Sequence, residues 1–161
     1  MAYDRGKAVA YARKWAKGRN PQYYNFDGLG GDCTNFVSQC LYAGCGVMNY
    51  TPDLGWYYRS LQDRAAAWTG VEFLHKFLLA NRGPGPYAEL LPLNKAQPGD
   101  VIQLTFDGQR YAHSLLVTQA GRLPAPENIL ISAHTFDADN RALGSYQYRE
   151  LRLLHILGAR G

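Results

Sequence analysis

The sequence predicts an α+β fold in which N-terminal helices pack on an antiparallel sheet formed by the C-terminal half. Apolar residues recur every three or four positions at 8–16 and 71–78, which is the spacing of amphipathic helices. From Pro98 onward, short strand-like runs alternate with loops that contain glycine and proline. Helices first and antiparallel strands after favour an α+β fold.

Each predicted helix lies between a residue type that favours a start and one that favours a stop. Helices are expected at residues 4–16, 33–43 and 71–80. Asp32 stands directly before the second helix as a natural N-cap, and Gly44 follows its predicted end. Thr69 and Glu72 have the spacing of a capping box at the start of the third helix.

Strands are expected at residues 101–106, 109–119, 128–135 and 145–157. The first two are predicted to form a hairpin across the two-residue turn Asp107-Gly108. Residues 83–86 carry two glycines and two prolines and are interpreted as a loop. Because no repeat and no long linker is present, we expect a single domain over residues 1–161.

Composition excludes several classes of protein. The chain has 161 residues, of which 47% are hydrophobic and 19% charged, so intrinsic disorder is excluded. No stretch has the roughly 18 uninterrupted apolar residues that a membrane helix needs. The net charge of +4 comes from scattered basic residues, so we expect no nucleic-acid partner. The chain starts without an export signal, which leaves its compartment open.

The three cysteines do not predict a disulfide framework or a metal site. Cys33, Cys40 and Cys45 are odd in number, so at least one thiol is free. Their spacing lacks the close pairs of structural zinc sites, and the four histidines contain no pair at ligand spacing. We therefore expect neither a metal nor a cofactor, and we expect a monomer.

Cys33 is the strongest candidate for a catalytic nucleophile. It is predicted to be the first residue of the second helix, where the helix dipole and the free backbone amides favour a thiolate. Gly30 and Gly31, just before it, would let a substrate carbonyl come close to the backbone. The alternative is a buried apolar cysteine, because Cys33 shares a helix face with Phe36 and Cys40.

A nucleophilic cysteine needs a base and a group that orients the base. His113 and His134 lie in two predicted neighbouring strands, whose pairing could bring the rings together. His113 would take the thiol proton, and His134 would fix the ring of His113. The alternative for each histidine is a structural role.

Aromatic residues are abundant, with 12 Tyr, 6 Phe and 3 Trp, which suits either a core or a binding cleft. Tyr24 precedes the cysteine loop, and Trp56 follows the helix that carries the cysteine. We expect both to contact substrate. The alternative for the cluster around Trp56 is a place in the core.

The run 31–44, with the sequence GDCTNFVSQCLYAG, resembles the putative amidase domain of Gram-positive bacteria, which belongs to the papain-like superfamily that includes the NlpC-type and CHAP-type cell-wall peptidases. The resemblance extends over nearly the whole chain, through residues 8–12, 19–21, 56–58, 67–69, 98–102, 113–114 and 133–135. It implies a papain-like fold of the NlpC type, with the cysteine helix packed against an antiparallel sheet that carries the histidine.

By motif position, the resemblance implies that Cys33 is the nucleophile and His113 the base. His134 matches the third polar residue of NlpC-type enzymes, and Asp137 is the alternative for that role. Tyr24 matches a tyrosine whose hydroxyl lies near the oxyanion in such enzymes.

The function implied is hydrolysis of an amide bond in bacterial cell-wall peptides, with a peptide or peptidoglycan partner. A catalytically decayed wall-binding module and an acyltransferase that uses the same thioester are the alternatives. Relatives in the family are often secreted or associated with the wall.

Overall fold

The computed structural model describes residues 2–161 and has four helices and eight strands in that part of the chain. The helices are α1 (Arg5–Trp15), α2 (Cys33–Cys45), α3 (Ala66–Thr69) and α4 (Val71–Ala80). The strands are β1 (Tyr58–Ser60), β2 (Asp63–Arg64), β3 (Gly85–Leu91), β4 (Val101–Thr105), β5 (Tyr111–Gln119), β6 (Leu130–Ala133), β7 (Ala138–Ala142) and β8 (Glu150–Arg160). None of these helices is both long and apolar enough to cross a membrane.

Six of the strands form one antiparallel sheet in the order β3-β8-β4-β5-β6-β7. Helix α2 packs on β5 near the middle of this sheet, α1 packs on α2, and α4 lies against β3 and β5. The predicted α+β class is therefore confirmed. The short strands β1 and β2 form a separate hairpin that was not predicted.

The sheet separates two apolar clusters, because neighbouring residues of a strand point to opposite faces. The helix-side cluster joins Phe36 and Leu74 to Leu116 of β5. The second cluster joins Leu115 of β5 to Leu143 and other residues that cover the far side of the sheet. Strand β5 thus contributes to both cores, and its two faces have different surroundings.

The start of α1 and the end of α2 have local causes, whereas the predicted capping of α2 by Asp32 is wrong, because its carboxylate has other partners. The carboxylate of Asp4 caps α1 by accepting the amide N–H of Lys7 at 3.0 Å. Helix α2 continues two residues past Ala43 and ends at Gly46, whose φ of 72° is left-handed. Its amide N–H donates to the carbonyl of Tyr42 at 2.8 Å and closes the last turn.

Three local predictions are wrong. Thr69 and Glu72 do not form a capping box, since the Thr69 hydroxyl accepts from Arg64 and the Glu72 carboxylate pairs with Arg152. Pro86 lies in β3 rather than in a loop, which is possible because β3 is an edge strand. The hairpin connection spans residues 106–110, because the Asp107 carboxylate accepts the amides of the two loop residues after Gly108.

Helix α1 is tied to the sheet by a buried carboxylate. Asp100, which is fully buried, accepts from Arg5 of α1 at 2.8 Å and from the backbone amide of Ile156 in β8 at 3.0 Å. Its second oxygen accepts from the amide of Gln97 and lies 3.0 Å from His155 Nδ1. One side chain therefore connects a helix, a turn and a strand.

Asp100→Ala is expected to lower the free energy of unfolding by about 3 to 5 kcal/mol, because it leaves the Arg5 guanidinium and two amides without their partner. The measurement is urea unfolding followed by circular dichroism. Asp63→Ala is the matched control, since it removes an exposed ion pair with Arg59 and should change stability by less than about 1 kcal/mol. Equal losses in the two variants would contradict the role given to Asp100.

Candidate active site

Cys33 is the first residue of α2 and lines a cleft of about 340 Å³. The cleft is formed by the loop before α2, the junction between α3 and α4, and the start of β5. Its walls include Gly31, Gly70, Glu72, Tyr111 and Ala112. These residues come from three separate parts of the chain, which the fold brings together around the sulfur.

The Cys33 thiol is surrounded by hydrogen-bond donors, yet it is neutral in the resting protein. Its Sγ lies 3.8 Å from the hydroxyl of Thr34, which contacts the hydroxyl of Ser114 at 2.9 Å. Burial raises the pKa of Cys33 above its ordinary value, and the amide of Ser114 and the hydroxyl of Thr34 act in the opposite direction. In the resting protein the effect of burial on this pKa outweighs the donors that favour the thiolate.

Asp32 stands at the N-cap position of α2 but does not cap the helix. One carboxylate oxygen accepts the amide of Phe26 at 2.8 Å and the side-chain amide of Asn35 at 2.9 Å, and the other lies 2.5 Å from His134 Nδ1. Burial alone would raise the pKa of Asp32, but these hydrogen bonds, His134 first among them, hold it below its ordinary value. The first-turn amides of α2 thus have no side-chain cap.

His134 is a structural residue of this arrangement. It is 1% exposed, its ring stacks on Phe36 at 4.0 Å between centroids, and its Nε2 donates to the carbonyl of Trp15 at 2.7 Å. Both ring nitrogens of His134 therefore have a hydrogen-bond partner within the protein. Neither nitrogen is free to orient His113, so the structure places His134 differently from the predicted triad.

His113 lies at the start of β5, on the side of the strand away from the Ser114 hydroxyl. It lines a second depression of about 360 Å³, and Ala112 borders both this depression and the Cys33 cleft. Among residues 2–161, neither ring nitrogen of His113 has a hydrogen-bond partner. Burial, assisted by the charge of Arg141, lowers the pKa of His113 to about 4, so the imidazole is neutral at pH 7.

Asp137, the alternative for the third catalytic residue, forms an ion pair with Arg19. Its two carboxylate oxygens accept from the two terminal nitrogens of Arg19 at 2.8 and 3.0 Å. Arg19 also donates to Asp27 in the loop before α2. Asp137 therefore connects the hairpin between β6 and β7 to that loop and does not contact His113.

The turn between β6 and β7 contacts the loop that precedes Cys33, and no local sequence pattern indicates this contact. The hydroxyl of Thr135 accepts the amide N–H of Asp32 at 3.2 Å. Gly31, with a φ of 98°, lies so close that a Cβ there would be 3.3 Å from this hydroxyl. Thr135 and Phe136 have φ of 61° and 58°, a left-handed conformation that is rare for a β-branched residue. Such strain is typical of functional sites.

The two residues expected to contact substrate lie in different environments. Trp56 is 0% exposed and donates from Nε1 to the Ser38 hydroxyl at 3.0 Å, so it is a core residue and the substrate role is wrong. Tyr24 is 43% exposed, with its ring 5.0 Å from that of Phe26. Its carbonyl accepts from Asn35 at 3.0 Å, which ties the segment before the cysteine loop to α2. Tyr24 is not among the residues that line the Cys33 cleft.

The cleft also contains residues that no linear motif indicated. Glu72 pairs with Arg152, and the Arg152 guanidinium lies 3.9 Å above the ring of Tyr111. Arg110 completes this wall. Glu72 and Arg152 are 80 positions apart along the chain, and Tyr111 and Arg152 are 41 positions apart. No local pattern therefore reveals that these side chains meet.

Comparison with known proteins places this chain in a family. Residues 2–157 match the family model described as "Putative amidase domain". The chain belongs to this family. It is also 33% identical over 142 residues to a protein of Bacillus subtilis (strain 168) described as "Uncharacterized protein YhbB". That alignment covers 86% of this chain and 43% of the relative, so the chain spans less than half of that protein's length. No solved structure matches the chain.

The two site histidines should respond differently to removal of their rings. His134→Ala is expected to lower the free energy of unfolding by about 3 to 5 kcal/mol, because the buried Asp32 carboxylate loses its main partner. His113→Ala removes no hydrogen bond and should lower it by less than about 1.5 kcal/mol. Urea unfolding at pH 7 measures both. A larger loss for His113→Ala than for His134→Ala would contradict this assignment.

Proposed function

We propose that the protein hydrolyses amide bonds in peptides of the bacterial cell wall, with Cys33 as nucleophile and His113 as base. The observation that carries this proposal is the position of Cys33, a cysteine at an uncapped helix N-terminus that lines a cleft. This cleft shares Ala112 with the depression that His113, a neutral histidine without a hydrogen-bond partner, lines. Membership of an amidase family supports amide hydrolysis as the reaction. The papain-like origin of the site is part of the same proposal.

The chemistry begins with transfer of the thiol proton. The unpartnered His113 imidazole takes the proton from Cys33 as the substrate binds, and the resulting thiolate is stabilised by the Thr34 hydroxyl and the Ser114 amide. Cys33 and His113 line separate depressions that share Ala112, so this step requires the His113 ring to approach the sulfur when the substrate binds.

The thiolate then attacks the carbonyl carbon of the substrate, and a C–S bond forms. The free amides at the first turn of α2 stabilise the negative oxygen of the tetrahedral intermediate. The C–N bond breaks, and the His113 imidazolium gives its proton to the departing amine. Water attacks the thioester while His113 takes its proton, the C–O bond forms and the C–S bond breaks, so a carboxylic acid is released and the thiol is regenerated.

Cell-wall peptides are proposed as the substrate because the cleft is open on the surface and has both charged and apolar walls. Glu72 and Arg110 line it beside Phe73 and Val71, which suits a peptide with charged groups at intervals. The net charge of +4 is compatible with an anionic wall polymer.

Cys33→Ala is expected to reduce hydrolysis of purified peptidoglycan at least about 10³-fold, because the variant has no nucleophile. The measurement is digestion of purified wall followed by mass spectrometry of the released muropeptides. Cys45→Ala is the matched control, since this buried thiol lies at the far end of α2 and donates to the carbonyl of Val47. It should retain full activity.

The same digestion separates the alternatives. A wall-binding module would bind peptidoglycan without releasing products from either the wild type or Cys33→Ala. An acyltransferase would release products that carry a new amide when an amine is added. Unchanged cleavage by Cys33→Ala would remove Cys33 from the mechanism.

The lowered pKa of His113 predicts how activity depends on pH. The imidazole must be neutral to take the thiol proton, and with a pKa of about 4 it becomes protonated only as the pH falls through that value. We expect kcat/KM, which reports the free enzyme, to be constant near neutrality and to fall tenfold per pH unit below about pH 4. Near-ultraviolet circular dichroism at each pH controls for unfolding. An acid limb near pH 6.5, the ordinary value for histidine, would contradict the environment assigned to His113.

A further inference from the structure

The depression beside His113 has a composition that the catalytic mechanism does not explain. Its volume is about 360 Å³, and its walls are the rings of Phe106, Phe136 and Tyr146, with Arg141 among the residues that line it. Phe136 is 89% exposed, although it is a large apolar residue at a strained turn. None of the described residues that line the depression is acidic.

Arg141 is held in place, yet its charge is not matched by an anion. Its Nε donates to the hydroxyl of Ser145 at 2.7 Å, and one terminal nitrogen donates to the carbonyl of the same residue at 3.2 Å. The guanidinium lies 3.7 Å from the ring centroid of Tyr146. The guanidinium also acts on the Tyr146 hydroxyl, where its charge and a hydrogen bond oppose the rise in the pKa of Tyr146 that burial causes. Within residues 2–161, no carboxylate forms an ion pair with Arg141. A fixed and unpaired guanidinium is suited to bind a carboxylate.

We propose that this pocket binds the free carboxylate of the amino acid that leaves as the amine, with Arg141 as the partner of that carboxylate. The inference rests on the proposed function, because it takes His113 as the group that protonates the departing amine. It makes Arg141 a specificity-determining residue for peptides cleaved next to a residue with a free carboxylate.

The two separate depressions indicate which part of the substrate each of them holds. Cys33 lines one of them and forms the bond to the acyl group, so that cleft holds the acyl part of the substrate. His113 lines the other and gives its proton to the amine, so that pocket holds the leaving part. Because Ala112 borders both, one extended peptide can occupy the two at once. A volume of about 360 Å³ accommodates one or two amino acids.

The carboxylate would also assist the base. Burial of the ring and, after it, the charge of Arg141 lower the pKa of His113. A carboxylate bound to Arg141 would offset the effect of the Arg141 charge. The other titratable group whose ring packs against His113 is Tyr146, at 5.9 Å between centroids. Substrates with the carboxylate would therefore both bind and react better than substrates without it.

The first test compares a peptide that ends in a free carboxylate with the same peptide ending in a primary amide. For the wild type, kcat/KM is expected to be roughly 10- to 100-fold higher for the carboxylate, as for a charge-assisted hydrogen bond. Arg141→Gln should abolish this preference, so that the carboxylate peptide and the amide peptide have the same kcat/KM in the variant. Arg122→Gln removes the same charge from an exposed loop and should keep the full preference.

The second test measures binding without turnover. The probes are D- and L-phenylalanine and the corresponding phenylalaninamides, and the readout is the NMR signal of the His113 ring in Cys33→Ala. At least one of the free amino acids is expected to shift that signal at concentrations tenfold lower than its amide. Adding Arg141→Gln should abolish the difference between the amino acid and the amide.

A third variant, Phe136→Gly, removes part of the aromatic wall of the pocket and is not expected to destabilise the fold. Glycine adopts the left-handed conformation of this position without strain, and the Phe136 ring is nearly fully exposed, so the thermal midpoint should be unchanged or higher. Binding of phenylalanine should weaken severalfold, because one wall of the pocket is lost. Unchanged binding in this variant would overturn the part of the proposal that concerns the aromatic wall.

The outcomes distinguish this inference from the proposed function. Hydrolysis of both peptides at equal rates by the wild type would overturn the carboxylate site and leave the proposed function intact. Carboxylate-dependent binding that requires Arg141, without hydrolysis of either peptide, would support the site and overturn the proposed function. Binding of acids and amides with equal affinity would overturn the role of Arg141 directly.

Discussion

The arrangement around the nucleophile depends on one buried hydrogen-bonded pair, Asp32 and His134. The two side chains are each 1% exposed, and they connect the residue before α2 to the end of β6. Because the His134 ring also donates to the carbonyl of Trp15, the pair joins α1, α2 and the sheet at one point. An unpaired charge at this depth would be strongly unfavourable, so each partner fixes the position of the other.

This pair also explains why the helix that carries Cys33 is open at its N-terminus. Asp32 is the residue type that ordinarily caps a helix, but its carboxylate is turned toward His134 and Asn35. The first-turn amides beside Cys33 therefore keep their partial positive charge available to a bound group. The same residue that stabilises the tertiary structure leaves the helix end available for the chemistry proposed for it.

Helix placement and strand content in the long periodic segments were predictable from sequence. The start of α1 follows from the cap at Asp4 and the end of α2 from Gly46, which act through local backbone chemistry. Asp32 stands at the start of α2, but its carboxylate is bound to partners other than the helix. Short or irregular elements were missed, including β1, β2 and the edge strand β3. The residues of these strands are stabilised by partners far along the chain, as Pro86 is by its pairing with β8 at the sheet edge. Local propensity does not depend on those partners, so it does not predict the strands.

The sequence by itself determined that Cys33 stands at a helix N-terminus, because a helix start depends on a few neighbouring residues. Only the tertiary structure decided what the histidines and aromatic residues do. It buried Trp56, bound both nitrogens of His134 to Asp32 and Trp15, and left His113 without a partner beside Arg141. The physical reason is that burial and hydrogen-bond partners at these positions come from elements at least 18 residues away, which no local pattern specifies.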